Sequence, residues 1–253
     1  MIVRSEKHIE SLREGGRKLA SILSSVACRL APEISTIELD TYAFELIKKV
    51  GGTPSFKGYR IPGAKQPYPA TLCVSVNDEV VHGIPGKRTL RDGDIVGLDI
   101  GMKYKGFFTD TAITVGIGRI APESERLLAV TKKALNIGIA EARAGRRVGD
   151  IGAAIQQYVE GERLSVVREL VGHGVGKAVH EEPEVPNWGA HKTGPEIVEG
   201  MVLALEPMVT LGSPRVRVSR DGWTWRTIDG SLAAHFEHTI LITKEGAEII
   251  TLT

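Results

Sequence analysis

Hydrophobic positions along this chain form two series, and each series shows helical spacing first and strand spacing afterwards. Over residues 6–30 apolar side chains recur at three- and four-residue intervals, which predicts a first long helix. Ser35 and Glu38 have the spacing of a capping box, so a second helix is predicted over 36–50. Segments rich in β-branched residues then predict strands over 71–76, 95–101 and 107–116.

The second series repeats this order. Pro122 suits the first turn of a helix that runs to about residue 144, and another helix is predicted over 150–160. Short strands are predicted after these helices, at 202–211, 216–219, 223–229, 235–243 and 248–251. Two αβ halves, about 1–120 and 121–253, are therefore predicted to form a single α+β domain over 1–253, related by a pseudo-twofold axis.

The two halves also repeat their acidic residues. An acid–Gly turn, an apolar run and a final acid occur in 92–99 and again, without a gap, in 199–206. The segments 108–115 and 236–242 are hydrophobic strands, each with an acid near its start. The repeat therefore places one acid on each of four strands. These acids are Asp99, Asp110, Glu206 and Glu237.

Acids at the inner ends of apolar strands need a physical explanation. An ionised carboxylate there costs several kcal/mol unless it is paired, and four converging carboxylates mostly protonate unless a cation lies among them. His173, in a glycine-rich run between the halves, adds an imidazole. Carboxylate oxygens with one imidazole suit Mn, Co, Fe or Zn, and no Cys cluster indicates a thiolate zinc site. These five residues predict two divalent metal ions about 3.5–4 Å apart.

Simpler interpretations exist for each residue taken alone. A single acid at a strand end is usually a turn or cap residue, and His173 alone could be a loop histidine; the coincidence of two copies argues against both. The glycine run 171–176 also resembles a phosphate-binding loop. It lacks the Lys-Ser/Thr ending and a convincing amphipathic helix after it, so a nucleotide site is not predicted. The glycines instead allow the backbone to pass close to the metals.

Composition narrows the class of protein. Charged residues make up 25% of the chain and the formal net charge is +1, so no basic surface indicates a nucleic-acid site. Cys28 and Cys73 are too few for a disulfide framework and suit a reducing compartment, and Cys28 is predicted to lie in a helix core. No apolar run reaches roughly 18 residues and the first residues do not form a signal peptide, which predicts a cytoplasmic protein without a membrane span.

Five segments carry a resemblance to a known family. They are PSFKGY at 54–59, SVNDEVVHGIP at 75–85, GHGVG at 172–176, HEEP at 180–183 and FEHT at 236–239. The chain resembles, over essentially its whole length, the type I methionine aminopeptidases of the pita-bread metalloprotease fold. The resemblance implies a curved, mainly antiparallel sheet covered by helices. It also implies the same five ligands, with Asp110 and Glu237 bridging the ions, Asp99 on one ion, and His173 and Glu206 on the other.

The resemblance implies an activity as well. Such enzymes remove the initiator methionine from nascent proteins, preferring a small second residue, and a metal-activated water attacks the first peptide carbonyl. Glu206 is then a proton shuttle as well as a ligand, His180 donates a hydrogen bond to the developing oxyanion, and His82 contacts the scissile amide nitrogen or the next carbonyl. On residue pattern alone, His82 could cap a turn and His180 could pair with the acids that follow it.

The pocket for the methionine side chain is also implied by the resemblance. Besides His82 and His180, the substrate-binding residues are expected to be Phe56, Tyr59, Tyr68, Cys73, Val179 and Trp223. Aromatic and sulfur groups favour a thioether. Two departures from the family concern the rim: the segment 60–67 is longer than its usual counterpart, and position 179 is Val where an aromatic residue is common.

Two other functions stay open at this point. One is an X-Pro peptidase of the same fold, although those enzymes usually carry an additional amino-terminal domain. The other is a catalytically inactive pita-bread module that binds peptides or ribosomal partners, although such modules typically lose metal ligands. The expected partners are nascent polypeptide N-termini, with a possible transient ribosome contact, and a monomer is expected.

Overall fold

Four helices and fifteen strands form the part of the chain that this computed structural model describes, residues 1–61 and 66–253. The helices are α1 (Glu6–Ala27), α2 (Thr36–Lys49), α3 (Pro122–Glu141) and α4 (Val148–Gly161). The strands of the first half are β1 (Thr53–Pro54), β2 (Leu72–Val76), β3 (Glu79–Val81), β4 (Ile95–Tyr104) and β5 (Phe107–Gly116). Those of the second half are β6 (Ser165–Val166), β7 (Gly172–Gly174), β8 (Glu181–Val185), β9 (Val202–Leu205), β10 (Met208–Thr210), β11 (Val216–Val218), β12 (Trp225–Thr227), β13 (Ala233–His235), β14 (Glu237–Ile242) and β15 (Ala247–Ile249).

A nine-stranded sheet runs across both halves. Its order is β1-β4-β5-β14-β9-β7-β8, with β2 also paired to β4 and β15 to β14, and every pair is antiparallel. The long hairpin β4–β5 of the first half meets the pair β14–β9 of the second half at the β5–β14 boundary. Two three-stranded sheets, β13-β10-β6 and β11-β12-β3, flank this arrangement. The repeat seen in the sequence is therefore symmetric about the β5–β14 boundary, which we call the seam.

Local sequence explains where the helices begin. The Ser35 N–H donates to Glu38 Oε2 at 2.9 Å, as the capping box predicts, and Pro122 occupies the first turn of α3. Helix α4 begins two residues earlier than predicted. Asp150 is its third residue, and Asp150 Oδ2 accepts the N–H of Arg147 at 2.9 Å.

Helix α1 shows how tertiary contacts override local propensity. It continues through Gly15 and Gly16, and a Cβ atom at Gly16 would lie 2.1 Å from the Ile250 carbonyl oxygen, so glycine permits the close approach of helix and chain. The prediction for Cys28 was wrong. Helix α1 ends at Ala27, and Cys28 is an exposed cap residue because it follows the last buried turn.

Two of the predicted strands are each divided between two sheets. The segment 202–211 forms β9 and β10, because Pro207 has no N–H to continue the ladder after Glu206. The segment 235–243 contains the end of β13 and the whole of β14, with Phe236 at the crossing. The short strands β1, β3, β6, β7 and β8 were not predicted, because two to five residues carry too little periodicity.

Each half packs its own hydrophobic core. In the first half Leu19 of α1 and Leu39 of α2 pack with the buried side chains of β2 and β4. In the second half Leu127 of α3 and Ile151 of α4 pack with those of β9 and β14. The helix pairs thus cover the sheet on either side of the seam. In the described part of the chain, no helix combines the length and the apolar character that a membrane crossing needs.

Candidate metal centre and substrate cavity

Buried threonines join the two halves at the seam. The Asp110 N–H donates to Thr239 Oγ1 at 2.9 Å, and that hydroxyl donates to the Asp110 carbonyl at 2.7 Å. In the same way the Thr111 hydroxyl donates to the Glu237 carbonyl at 2.8 Å. These bonds extend a short backbone ladder between β5 and β14. The backbones of Asp110 and Glu237, one from each half, are therefore held side by side.

A compact cluster of possible metal ligands forms at this point. One ligand atom each from Asp110, His173 and Glu237 lie within 4.8 Å of one another, and all three residues are buried. His173 Nδ1 lies 2.8 Å from the Gly174 carbonyl oxygen. A carbonyl only accepts, so Nδ1 carries the hydrogen and the Nε2 lone pair of the neutral ring is free to bind a metal.

The other two predicted ligands line the same cavity. Asp99 lies in the middle of β4, where its backbone partners are Cys73 on β2 and Ala112 on β5. Glu206 follows the last residue of β9, and its Oε1 lies 3.5 Å from His173 Nε2. The cavity has a volume of about 400 Å³ and is lined by all five predicted ligands together with His82 and His180.

Burial and repulsion between neighbouring carboxylates shift the pKa values of the acids. Burial raises the pKa of Asp99 to about 6. It also raises the pKa values of Asp110 and Glu237 well above the ordinary carboxyl range, and neighbouring carboxylates add to this rise. Glu206 behaves differently. Burial alone raises its pKa, but the imidazoles of His235 and His173 outweigh burial and lower it.

The donor set fits a divalent cation. Asp99 Oδ1 and Glu237 Oε1 are buried without a hydrogen-bond partner among the described atoms, which is costly unless a cation binds them. The Cys73 thiol is also buried here, but burial raises its pKa well above the usual value, so it is not a thiolate ligand. Carboxylates with one imidazole suit hard or borderline divalent ions.

The two predicted catalytic histidines face the cavity as neutral rings. Burial lowers the pKa of His82 to about 4, and burial together with His173 lowers the pKa of His180 to about 4. His82 has a positive φ of 58° directly after β3, and its side chain lines the cavity. Pairing of His180 with the next acid is not observed, because Glu181 accepts the Ala178 N–H at 2.7 Å instead.

His180 is held by aromatic neighbours. Its ring lies edge-on to that of His173, with centroids 4.3 Å apart. On the other side, His180 Nδ1 lies 2.6 Å from the hydroxyl oxygen of Tyr59. Tyr59 lines the cavity, as predicted for the methionine pocket, and this hydrogen bond gives it a second contact that the sequence did not indicate.

The remaining pocket residues form one buried cluster. The ring of Tyr68 makes edge contacts with Phe56 at 6.5 Å and Trp223 at 5.3 Å between centroids. Phe56, Tyr68, Cys73 and Trp223 line the cavity, whereas Val179 packs in the same cluster without being among the described lining residues. Of the segment 60–67, residues 62–65 lie outside the described residues; the Trp223 indole N–H donates to the Gln66 carbonyl at 3.1 Å.

Sequence reasoning missed His235. The residue is 3% exposed, and its Nε2 lies 3.4 Å from Glu206 Oε2. Residues two apart in an extended chain face the same side, so the position of His235 two residues before Glu237 was an available signal. The neighbouring His238 follows Glu237 directly and therefore faces the opposite side of the strand, where its Nδ1 lies 3.0 Å from Thr251 Oγ1.

The curved antiparallel sheet and the acid–imidazole cluster at its centre define a class, the pita-bread metallopeptidases, and the predicted fold is confirmed. The model of the family described as "Metallopeptidase family M24" matches residues 10–244 of this chain. The chain belongs to this family. Membership implies the use of divalent metal, in agreement with the cluster of Asp110, His173 and Glu237.

Several relatives share the family and nearly the full length of the chain. A methionine aminopeptidase of Clostridium perfringens is 47% identical over 252 residues, which cover 100% of this chain and 99% of the relative. Methionine aminopeptidase 1 of Bacillus subtilis is 47% identical, covering 99% of each. The crystal structure of a methionine aminopeptidase from Thermotoga maritima is 42% identical, covers 100% of both chains and has a TM-score of 0.95.

More distant structures share the fold alone. An Xaa-Pro dipeptidase from Bacillus anthracis has a TM-score of 0.77 at 21% identity. This chain covers only 62% of that enzyme. The likeness therefore supports the pita-bread fold and carries no argument about substrate.

Proposed function

We propose that this chain is a methionyl aminopeptidase, a metal-dependent hydrolase that removes the initiator methionine from nascent proteins and prefers a small second residue. The observation that carries the proposal is one cavity that is lined both by acids and imidazoles and by residues of an aromatic cluster. Full-length relatives at 47% identity that are named methionine aminopeptidases support it.

The proposed metal centre consists of five residues. The number of ions and the role of each ligand are part of the proposal and do not follow from family membership alone. Asp110 and Glu237 would bridge two divalent ions, Asp99 would bind one of them, and His173 and Glu206 the other. Mn, Co, Fe and Zn all suit this donor set. Such ions would polarise the first peptide carbonyl and acidify a water.

The other side chains would bind the peptide and move protons. Phe56, Tyr68 and Trp223 would enclose the methionine side chain, because aromatic rings favour a thioether. Glu206 would carry a proton to the leaving nitrogen, since its lowered pKa leaves a carboxylate able to accept one. His180 and His82 would donate hydrogen bonds, to the developing oxyanion and to the scissile amide or next carbonyl respectively.

The proposal extends to the organisation and setting of the protein. Residues 1–253 would be one catalytic domain, because the cavity takes residues from both halves. The chain would act as a cytoplasmic monomer on nascent N-termini, with a transient ribosome contact. An X-Pro peptidase and an inactive module are not favoured, since the full-length relatives are methionine aminopeptidases and all five predicted ligands line the cavity.

One assay series tests the proposal. Metal-stripped protein is reconstituted separately with Mn, Co or Fe and given Met-Ala-Ser, Met-Leu-Ser and Ala-Pro-Phe. Release of methionine from Met-Ala-Ser is expected, with Met-Leu-Ser slower by about tenfold or more. Asp110→Asn should abolish turnover, while the exposed turn acid Asp229, changed to Asn, serves as the matched control. Cleavage of Ala-Pro-Phe instead would favour the X-Pro peptidase, and no hydrolysis with any metal would favour the inactive module.

A further inference from the structure

We propose that His235 is a positioning residue that donates its Nε2–H to Glu206 Oε2 and thereby keeps Glu206 Oε1 directed at His173 and the metal centre. The inference rests on the proposed function, because it assigns Glu206 to that centre. It adds a residue that belongs to neither the predicted ligands nor the predicted substrate contacts. His235 is buried and is not among the described residues that line the substrate cavity.

The backbone of His235 is fixed from two directions. Its N–H donates to Thr114 Oγ1 at 2.9 Å, and the Thr114 hydroxyl donates to the His235 carbonyl at 2.8 Å. On the other side β13 pairs with β10, where His235 is the backbone partner of Met208. Met208 is two residues after Glu206. The imidazole is therefore held next to the segment that carries Glu206 and has little freedom to turn elsewhere.

The contacts of Glu206 are divided between two imidazoles. Oε2 lies 3.4 Å from His235 Nε2, and Oε1 lies 3.5 Å from His173 Nε2. His235 Nε2 is buried and makes no hydrogen bond of ordinary geometry among the described atoms. A buried N–H without an acceptor is costly, and Glu206 Oε2, 3.4 Å away, is the carboxylate oxygen within reach. Hydrogen bonds of catalytic sites are often long or poorly aligned before the working complex forms, so this contact is expected to shorten there.

Glu206 needs a side-chain restraint more than the other acids do. Asp110 and Glu237 belong to strands, and the threonines of the seam hold their backbones. Glu206 instead follows the end of β9 and precedes Pro207, where the chain leaves the large sheet. The Asn187 side-chain N–H donates to the Glu206 carbonyl at 3.0 Å. That bond restrains the backbone of Glu206 but not the rotation of its carboxylate. A donor behind the carboxylate fixes the ligand orientation, and such outer contacts govern metal affinity.

Amide substitutions at position 235 distinguish hydrogen-bond donation to Glu206 from a role of His235 in packing alone. In His235→Gln the amide nitrogen lies at the same reach as Nε2, whereas in His235→Asn it lies at the reach of Nδ1 and falls short of Glu206. His235→Met has the length of Gln without a donor. The matched controls are His238→Gln and His238→Asn, on the opposite face of the neighbouring strand, where the imidazole contacts Thr251.

The first readout is Mn²⁺ binding to the metal-stripped protein, measured by isothermal titration calorimetry together with thermal unfolding of each variant. We expect His235→Gln to bind Mn²⁺ within about threefold of the parent, and His235→Asn and His235→Met to bind about 10- to 100-fold more weakly. Both His238 variants should bind like the parent. If His235→Asn fails to fold, the Gln–Met pair carries the same contrast.

Equal Mn²⁺ affinity in the Gln, Asn and Met variants would overturn the proposal, whether all three were weakened or all three were unchanged. Turnover of Met-Ala-Ser is measured in parallel and reports on the proposed function separately. If the parent protein cleaves no Met-Ala-Ser but the binding series still follows the donor, the proposed function fails and the role of His235 stands. If the parent cleaves the peptide but the variants all bind Mn²⁺ with equal affinity, the proposed function stands and the proposed role of His235 fails.

Discussion

At the scale of single residues, the two cavity histidines are suited to donate hydrogen bonds without carrying charge. Burial lowers the pKa values of His82 and His180 to about 4, so both rings are neutral at ordinary pH. A neutral imidazole has one N–H, and its neighbours decide which nitrogen carries it. If the Tyr59 hydroxyl donates to His180 Nδ1, as its 2.6 Å distance allows, the hydrogen lies on Nε2, which is available to the substrate.

Tyr59→Phe tests this arrangement. Removing the hydroxyl should lower kcat by about five- to tenfold, the equivalent of one hydrogen bond worth about 1 kcal/mol, while Mn²⁺ affinity stays unchanged. His180→Ala should cost about 10²–10³ in kcat, because it removes the oxyanion donor itself. Steady-state kinetics with Met-Ala-Ser and Mn²⁺ titration measure both effects.

Tyr42→Phe is the control for this series, because Tyr42 is a helix residue whose ring stacks on Arg29 far from the cavity. It should have the kinetics of the parent. A Tyr59→Phe enzyme with unaltered kcat would show that the hydrogen bond to His180 has no role in turnover.

At the scale of elements, the seam depends on side chains as much as on the backbone ladder. Thr239 is fully buried, and its single hydroxyl bonds both the N–H and the carbonyl of Asp110. Each threonine contact replaces a ladder bond while the adjacent acid remains free to face the cavity. The seam therefore joins the two halves and positions the predicted ligands with the same bonds.

Thr239→Val keeps the shape of the side chain and removes the hydroxyl. The Asp110 N–H loses its acceptor, so the free energy of unfolding should fall by about 1–3 kcal/mol, and Mn²⁺ affinity should fall with it because Asp110 is no longer held. Urea denaturation and calorimetry measure the two quantities. Thr41→Val, on the exposed face of α2, should stay within about 0.5 kcal/mol of the parent. Normal stability and Mn²⁺ affinity in Thr239→Val would contradict this account of the seam.

At the scale of the whole molecule, acids from both halves converge where the chain alone cannot neutralise them. Burial raises the pKa of Asp99 to about 6 and those of Asp110 and Glu237 well above the ordinary carboxyl range. Without metal, these acids therefore bind more protons in the folded protein than in the unfolded chain, and their contribution to stability falls as pH rises. The lowered pKa values of His82 and His180 have the opposite effect below about pH 6.5. The pKa of Glu206 is lowered, so this residue affects the pH dependence of stability only at more acidic pH.

Metal removal should expose this pH dependence. The metal-stripped protein should lose stability relative to its Asp99→Asn variant between about pH 5 and about pH 8, because Asp99 ionises as pH rises through about 6. His82 and His180, whose lowered pKa values favour the fold as pH rises, act in the same direction in both proteins and cancel in this comparison. Mn²⁺ should raise the unfolding temperature more at about pH 8, where it binds ionised ligands without displacing protons. Differential scanning calorimetry with and without Mn²⁺ measures both trends. An equal Mn²⁺ effect at the two pH values would argue against a centre built from these acids.

Much of this architecture was predictable because it is local or repeated. The helices follow apolar spacing and caps within about 20 residues, and the duplicated strand-plus-acid pattern identified Asp99 and Glu206 as a pair. The short strand β7, which carries His173, was not predictable, since three residues have no measurable period. The end of β9 directly before Glu206 was also missed, because Pro207 breaks the hydrogen-bond ladder and no local period marks that break.

The sequence by itself determined the helices, the duplicated halves and the acids that a cation would need, because period, caps and repeats are written into neighbouring residues. Only the tertiary structure decided how these acids are held. The bonds from Thr239 to Asp110 and between Tyr59 and His180 join residues up to 129 positions apart. Such contacts depend on how the two halves pack across the seam, and no local pattern in the chain specifies that packing.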